Sequence, residues 1–363
     1  MPPARRYFIS LDGIRGVAAI AIVMLHAKRL LFGNGISVEN FLAVDIFFIL
    51  SGVVITNAYE HRLQSGLAVR EFIKIRLIRL YPLYILGTVI GLYNMLAGFS
   101  HDDYTGYLPL GVVLALMMLP DPTLFLVFPF NPPAWSLFYE LLVNIVYAAV
   151  FRFLTLRVLA AIMAVSALGL AVILVFGHDH NLSVGWNAKS FSGGLVRVAY
   201  SFFAGVLLYR LFARRTLVLG QHWWTGLMPW IILGVVALVL GAIPPAAVRP
   251  YYEFAVVVFL FPAVVYCALW VKPEGVSARV CKVLGSVSYA VYAIHYPLYW
   301  LFHGMITKLT NLPAETFAPW AGFCFIGVLV PFCWVLDKFY DGPLRKFLLK
   351  HGRSKLAAVP EKA

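Results

Sequence analysis

The sequence predicts an all-α, polytopic membrane protein. Three observations carry that prediction. Of 363 residues, 62% are hydrophobic and only 12% are charged. The mean hydropathy is +0.85, and the apolar residues fall in long continuous runs. A soluble domain carries about twice that charged fraction and needs polar side chains to cover its surface. A soluble enzyme is therefore excluded, and so is a disordered chain, whose apolar content is far lower. Short alternating segments would mark a β-barrel. Runs of roughly 20 apolar residues mark helices that cross a bilayer.

Eleven runs can be placed, near residues 14–32, 42–59, 80–98, 107–128, 134–151, 158–177, 193–211, 227–244, 252–271, 285–305 and 318–337. The fourth is broken by Pro120, Pro122, Pro129, Pro132 and Pro133, which interrupt helices. The net charge is +13. Its basic residues gather in the N-terminus, in 60–79, 152–157, 210–215 and 272–282, and in the C-terminal tail. Cytoplasmic loops collect such charge. If all eleven runs crossed, 60–79 would be cytoplasmic while the later basic loops and the tail fell outside. If 107–128 enters and returns, every basic loop is cytoplasmic. We therefore expect about ten transmembrane helices, a broken or re-entrant element near 107–133, and both termini in the cytoplasm. Irregular backbone at membrane depth survives only where protein or a cavity surrounds it, so 107–133 is expected beside a working cavity.

The remaining features are plainer. The positive excess is read as topology rather than nucleic-acid binding. Cys267, Cys281, Cys324 and Cys333 form no CxxC pair and are read as packing residues. Met1–Arg6 is basic, but the first run carries His26 and ends in Lys28 and Arg29 without a small-residue cleavage site. It is expected to be a retained span. The chain divides into a membrane domain, 1–343, and a short basic tail, 344–363, with Arg345, Lys346, Lys350, Arg353 and Lys355. That tail is expected to be solvated or lipid-facing.

Ionisable residues inside spans are costly and usually functional. The candidates are His26, Asp45, Glu140, His295 and His303, with Glu253 and Asp337 beside them. Arg15 and His26 are separated by ten residues, roughly 16 Å along a helix and nearly on one face. That face carries an anion-binding cation at one end and a general base deeper in. Asp45 is placed to pair with a cation from a neighbouring helix, and Ser51-Gly52 permits close helix approach. Arg76 and Arg79 are three apart and share a face suited to phosphate. Glu140 and Asn144 are i,i+4 neighbours, and a carboxylate there can orient a histidine or bind acceptor hydroxyls. Ser288, Tyr292 and His295 share a face of the late span. His303 is read as a polar residue near the outer interface.

Five blocks in this order resemble the membrane-bound acyltransferase family 3: LDGIRG with Arg15-X10-His26, VDIFFILSG, the RLIRLYP stretch, PAWSLFYE and SYAVYAIHYP. The resemblance spans roughly residues 8–340. It implies transfer of an acyl group, usually acetyl, from cytoplasmic acyl-CoA to a hydroxyl of a carbohydrate, a lipid-linked saccharide or a related acceptor. Acetyl-CoA is then a donor substrate rather than a permanently bound cofactor, no metal is expected, and the setting is a bacterial cytoplasmic (inner) membrane. The family's Arg-X10-His pair lands on Arg15 and His26, its Arg block on Arg76 and Arg79, and its Trp-Ser-Leu-x-x-Glu block on Trp135, Ser136 and Glu140. The usual second acidic residue is Leu141 here, which speaks against a two-carboxylate role. His26 is expected to be the general base or an acylated intermediate, with Glu140 beside it. Arg15, Arg76 and Arg79 are expected on the CoA phosphates. Asp12, Asp45, Ser51, Trp135, Ser136, Asn144, Tyr292 and His295 are expected to support substrate or structure. Some members add an extracellular hydrolase-like domain. None is visible here, so acceptor recognition is expected from the membrane domain and its loops.

Two other classes share part of this pattern. A secondary transporter of a small anion or sugar shares the spans, the broken element and the intramembrane charges, but transporters often pair broken helices in two halves. A lipid-binding scaffold leaves His26, Glu140 and His295 unexplained.

Overall fold

The computed structural model describes residues 6–33, 40–99, 106–215 and 226–353. The connections at 34–39, 100–105 and 216–225 and the tail from 354, with Lys355, lie outside the described residues. The architecture is an all-α membrane bundle. Its helices are α1 (Ile9–His26), α2 (Lys28–Phe32), α3 (Ala43–Gln64), α4 (Val69–Leu96), α5 (Leu108–Leu116), α6 (Ala134–Val150), α7 (Leu156–Phe176) and α8 (Phe191–Ala213). They continue with α9 (Met228–Leu240), α10 (Arg249–Ala255), α11 (Phe261–Trp270), α12 (Gly275–Thr310), α13 (Trp320–Leu336) and α14 (Gly342–Arg353).

Among the described residues, 8 helices are long and apolar enough to cross a membrane. One joins α10 and α11 into Arg249–Trp270, and another runs from α13 into α14. Two further helices match expected spans. α9 is apolar but only 13 residues long. α12 has 36 residues, and its apolar character is diluted by tyrosines, histidines and serines. Each of the ten expected crossings therefore has a helix.

The eleventh run has a different form. α5 has 9 residues, about 13 Å of helix, which is less than half of the roughly 30 Å hydrocarbon core. Beyond it the backbone is irregular to Pro133, and it is buried in protein: Val127, Phe128, Phe130 and Asn131 are each buried. Two devices hold it. Pro297 inside α12 removes the N–H that the Ala293 carbonyl would normally accept, and Asn131 Nδ2 donates to that carbonyl at 2.9 Å. Gly91 of α4 lies against the Phe130 carbonyl, where any Cβ would collide. The broken element thus ends beside Tyr292 and His295, as expected for irregular backbone at this depth.

Helix direction tests the re-entrant reading. Along α1 and α12, Asp12 meets Gly285 and His26 meets His295, so both numbers rise together and the helices run parallel. Along α3 and α8, Asp45 meets Arg197, Gly52 meets Phe202 and Gly205, and Asn57 meets Tyr209. That pair is parallel too. Both pairs straddle 107–133. With that element as an extra crossing, each pair would run antiparallel. The glycines bring α3 and α8 together: a Cβ on Gly52 would strike the Phe202 carbonyl, and one on Gly205 the Ile49 carbonyl.

The described part of the basic tail is helical. It continues α13 through a π-helical turn, Asp337–Asp341, into α14, so a boundary at 344 falls inside a helix. α14 returns against α4.

Candidate functional site

α1, α3, α4, α6, α12 and α14 enclose a cavity of about 570 Å³. The expected residues Asp12, Arg15, Ser51, Arg76, Arg79, Ser136, Glu140 and Tyr292 all line it. They come from five helices, each contributing one face. Arg76 and Arg79 stand one turn apart on α4, Ser136 and Glu140 one turn apart on α6, and Asp12 and Arg15 one turn apart on α1.

The charges are cross-linked. Arg76 donates to Glu140 Oε1 at 2.8 Å, and Ser51 donates to the same oxygen at 3.0 Å. Arg15 donates to Asp12 at 3.0 Å. Tyr7, just ahead of α1, also donates to Asp12. Partial burial first and the Asp12 carboxylate second push the Tyr7 phenol up to about 12. Arg79 lies over the Tyr289 ring, 5.3 Å from its centroid. Ser136 and Tyr292 share a short hydrogen bond, and Tyr292 also donates to the Pro133 carbonyl at 3.2 Å. The floor of the cavity is thereby tied to the end of the broken element.

His26 does not line this cavity and does not meet Glu140. Its neighbour is His295, whose Nε2 is 3.0 Å from His26 Nδ1. Hydrogen-bond logic fixes the tautomers of the neutral pair. His295 Nδ1 sits 2.9 Å from the Tyr292 carbonyl and 3.1 Å from the Val291 carbonyl. Carbonyls only accept, so this Nδ1 carries the proton and Nε2 has the lone pair. His26 Nδ1 faces that lone pair and also the Ile22 carbonyl at 3.0 Å, so it carries a proton as well. The free lone pair of His26 is therefore on Nε2. Tyr296 packs edge-on, 5.2 Å from the His26 ring. The place beside His26 that the sequence reading gave to Glu140 is held by an imidazole one turn beyond Tyr292, while Glu140 pairs with Arg76.

Two expected residues belong to a separate cluster. Asp45 binds Arg197 of α8 through Nη2 at 2.6 Å and Nε at 3.3 Å. Arg197 also donates to the Phe41 and Val184 carbonyls at 3.1 Å each and lies over Trp135. Asp45 and Trp135 thus hold helices together away from the cavity. Arg197 is a residue the sequence reading missed. The signal was present, since it is an arginine set inside the apolar run 193–211, thirteen residues before the basic end at Arg210. Asn144 is fully buried one turn from Glu140, and neither polar atom of its side chain has a hydrogen-bond partner among the described residues. His303 pairs with Glu315 at 3.3 Å, and Arg29 approaches Glu315 at 4.0 Å. Among the described residues no group of three or more His, Cys, Asp or Glu side chains is arranged to hold a metal ion.

Comparisons with known proteins agree with this architecture. The family described as "Acyltransferase domain" matches residues 8–338. The chain is 41% identical over 190 residues to "Protein 2 in picA locus" of Rhizobium radiobacter, covering 47% of this chain and 95% of that protein. It is 33% identical over 103 residues, or 28% of this chain, to "Peptidoglycan O-acetyltransferase OatA" of Listeria monocytogenes. It is 38% identical over 79 residues, or 21% of this chain, to "O-acetyltransferase OatA" of Staphylococcus aureus. The chain spans only 15% and 12% of the lengths of those last two proteins. No solved structure matches. With a family match over nearly its whole length and a helical membrane bundle to carry it, this chain belongs to the acyltransferase-domain family.

Proposed function

We propose that this protein is an integral-membrane O-acyltransferase that moves an acyl group, acetyl in the simplest case, from acyl-CoA to a hydroxyl of a carbohydrate or related acceptor. The observation that carries the reading is the two-ended use of α1. Arg15 lines the cationic cavity, while His26 sits about 16 Å further along the helix, hydrogen-bonded to His295. A donor with anionic phosphates at one end and a thioester at the other suits such a site. The O-acetyltransferase names of the Listeria and Staphylococcus relatives support acetyl as the group, and the peptidoglycan named for the first supports a saccharide acceptor. Family membership favours transfer over the transport alternative.

In this mechanism the phosphates of acyl-CoA rest among the arginines on the cytoplasmic side of an inner membrane. The pantetheine arm runs inward past Tyr292 and brings the thioester carbonyl to His26. His26 Nε2 takes the proton of the acceptor hydroxyl as its oxygen attacks that carbonyl. His295 keeps Nδ1 as the donor nitrogen, so the lone pair stays on the reacting side. The positive charge that develops on His26 is met by the lone pair of His295. Collapse of the tetrahedral intermediate breaks the carbon–sulfur bond, and the CoA thiolate leaves with the proton from His26. Neither substrate has to cross the bilayer.

The test is His26→Ala in purified protein, with labelled acetyl-CoA and a saccharide acceptor. Turnover is expected to fall by roughly 10²–10⁴, the worth of a positioned base, while CoA binding is retained. Turnover near the wild-type level would reject His26 as the base.

A further inference from the structure

The basic segment after Asp341 is a wall of the cavity. Arg345, Lys346 and Leu349 of α14 line it together with the α4 arginines. The π turn at Asp337–Asp341 admits an extra residue and so resets which face α14 turns toward α4. Beside that turn Tyr340 donates to the Pro82 carbonyl of α4 at 3.3 Å, while within the same helical segment Arg345 Nη2 lies 2.7 Å from Asp341 and 3.5 Å from Asp337.

α14 adds two cations to a cavity already rich in them. The cavity's cations are Arg6, Arg15, Arg76, Arg79, Arg345 and Lys346, against only two carboxylates, Asp12 and Glu140. Asp12 answers Arg15, Glu140 answers Arg76, and Asp341, outside the lining, answers Arg345. Arg6, Arg79 and Lys346 have no carboxylate within ion-pair distance among the described residues, and Arg6 lies instead over the Phe212 ring, 5.2 Å from its centroid. CoA carries a diphosphate and a separate 3′-monophosphate, more anionic groups than one arginine can neutralise. An ammonium on a flexible stem is a common phosphate ligand.

We propose that α14 completes the donor site and that Lys346, together with Arg79, binds the phosphates of acyl-CoA. The inference rests on the donor reading above and extends it to a segment that composition alone assigns to a solvated tail. Docking of α14 through Tyr340 then becomes part of building the site.

The test measures CoA binding by calorimetry on the full-length protein in nanodiscs of zwitterionic lipid. The chains compared are wild type, Lys346→Gln, Lys346→Arg and Arg79→Gln. Lys346→Gln is expected to weaken CoA binding about five- to tenfold, within the range for a charge-assisted contact at a partly solvated site. The same factor is expected in KM for acyl-CoA, and Lys346→Arg is expected to restore most of the affinity. If Lys346→Gln binds CoA as wild type does while Arg79→Gln loses affinity, α14 is no part of the site and the donor reading stands. If the wild type does not bind CoA, or neither substitution changes its binding, the donor reading fails and takes this inference with it.

Discussion

Arg197 with Asp45, and Arg76 with Glu140, are both ion pairs between membrane helices, at 2.6 and 2.8 Å. They differ in what surrounds them. The side chains of the first pair are 1% and 0% exposed, and its guanidinium also donates to two carbonyls and faces Trp135. Every direction is occupied by protein. The second pair opens on the cavity, with 11% and 20% exposure, and Arg76 Nε has no hydrogen-bond partner among the described residues. The first pair is a joint between α3 and α8 whose charges have nothing left to bind. The second lines the cavity with part of both side chains uncovered, so an anion bound there would meet Arg76 beside Glu140. A charge inside a membrane protein signals function most strongly when part of it faces a cavity.

Removing one member of the sealed pair should have the largest effect. Arg197→Ala strands Asp45, which is 0% exposed, a loss of about 3–5 kcal/mol for a broken buried pair, from a total stability of about 5–15 kcal/mol. The expected result is a collapse in the yield of monodisperse protein on size-exclusion chromatography after solubilisation. Replacing both charges with apolar residues, Asp45→Leu with Arg197→Met, should recover part of that yield, since no charge is then left alone. Normal yield and activity from Arg197→Ala would erase the distinction between the two pairs.

The open pair should respond in binding instead. Arg76→Ala with Arg79→Ala removes two cations from the cavity wall, and Glu140 stays within reach of solvent. Yield is expected to hold while the Kd for CoA rises roughly tenfold to a hundredfold, from about 1.5–3 kcal/mol for hydrogen bonds to charged groups. Calorimetric titration of the double variant measures this directly. Unchanged affinity would reject the phosphate clamp.

The contrast also explains what could be read from the sequence. Arg15 with His26, and Arg76 with Arg79, are spacings within a single helix, where 3.6 residues per turn fix the faces in advance. The topology was legible because loop charge and the five prolines of 107–133 are local facts. Partnership between helices was not. His26 and His295 lie 269 residues apart, and Asp45 lies 152 residues from Arg197. Their meeting depends on the relative heights of packed helices, set by contacts such as Gly52 against Phe202. Asp45 could be expected to find a cation, but which one is decided only by the α3–α8 crossing. Glu140 was assigned to His26 because both are rare charges in apolar runs, whereas the bundle gives Glu140 to Arg76 and leaves His26 to α12. The packing of α14 against α4 is another such meeting between distant segments.

Asn144 separates the two regions most finely and carries the smallest expected effect. From the sequence it is Glu140's neighbour on one helix face and so a candidate for the same chemistry. In the bundle it is 0% exposed, lies outside the cavity lining, and makes no side-chain hydrogen bond among the described residues. A buried amide without partners costs about 1–3 kcal/mol relative to an apolar side chain of similar shape. Asn144→Leu keeps nearly the same volume and removes that penalty. The melting temperature of the solubilised protein is therefore expected to stay level or rise by a few degrees, with KM for acyl-CoA and turnover unchanged. A fall in turnover at unchanged melting temperature would place the amide in the reaction. It would also show that the working part of α6 extends a full turn beyond Glu140, outside the cavity lining.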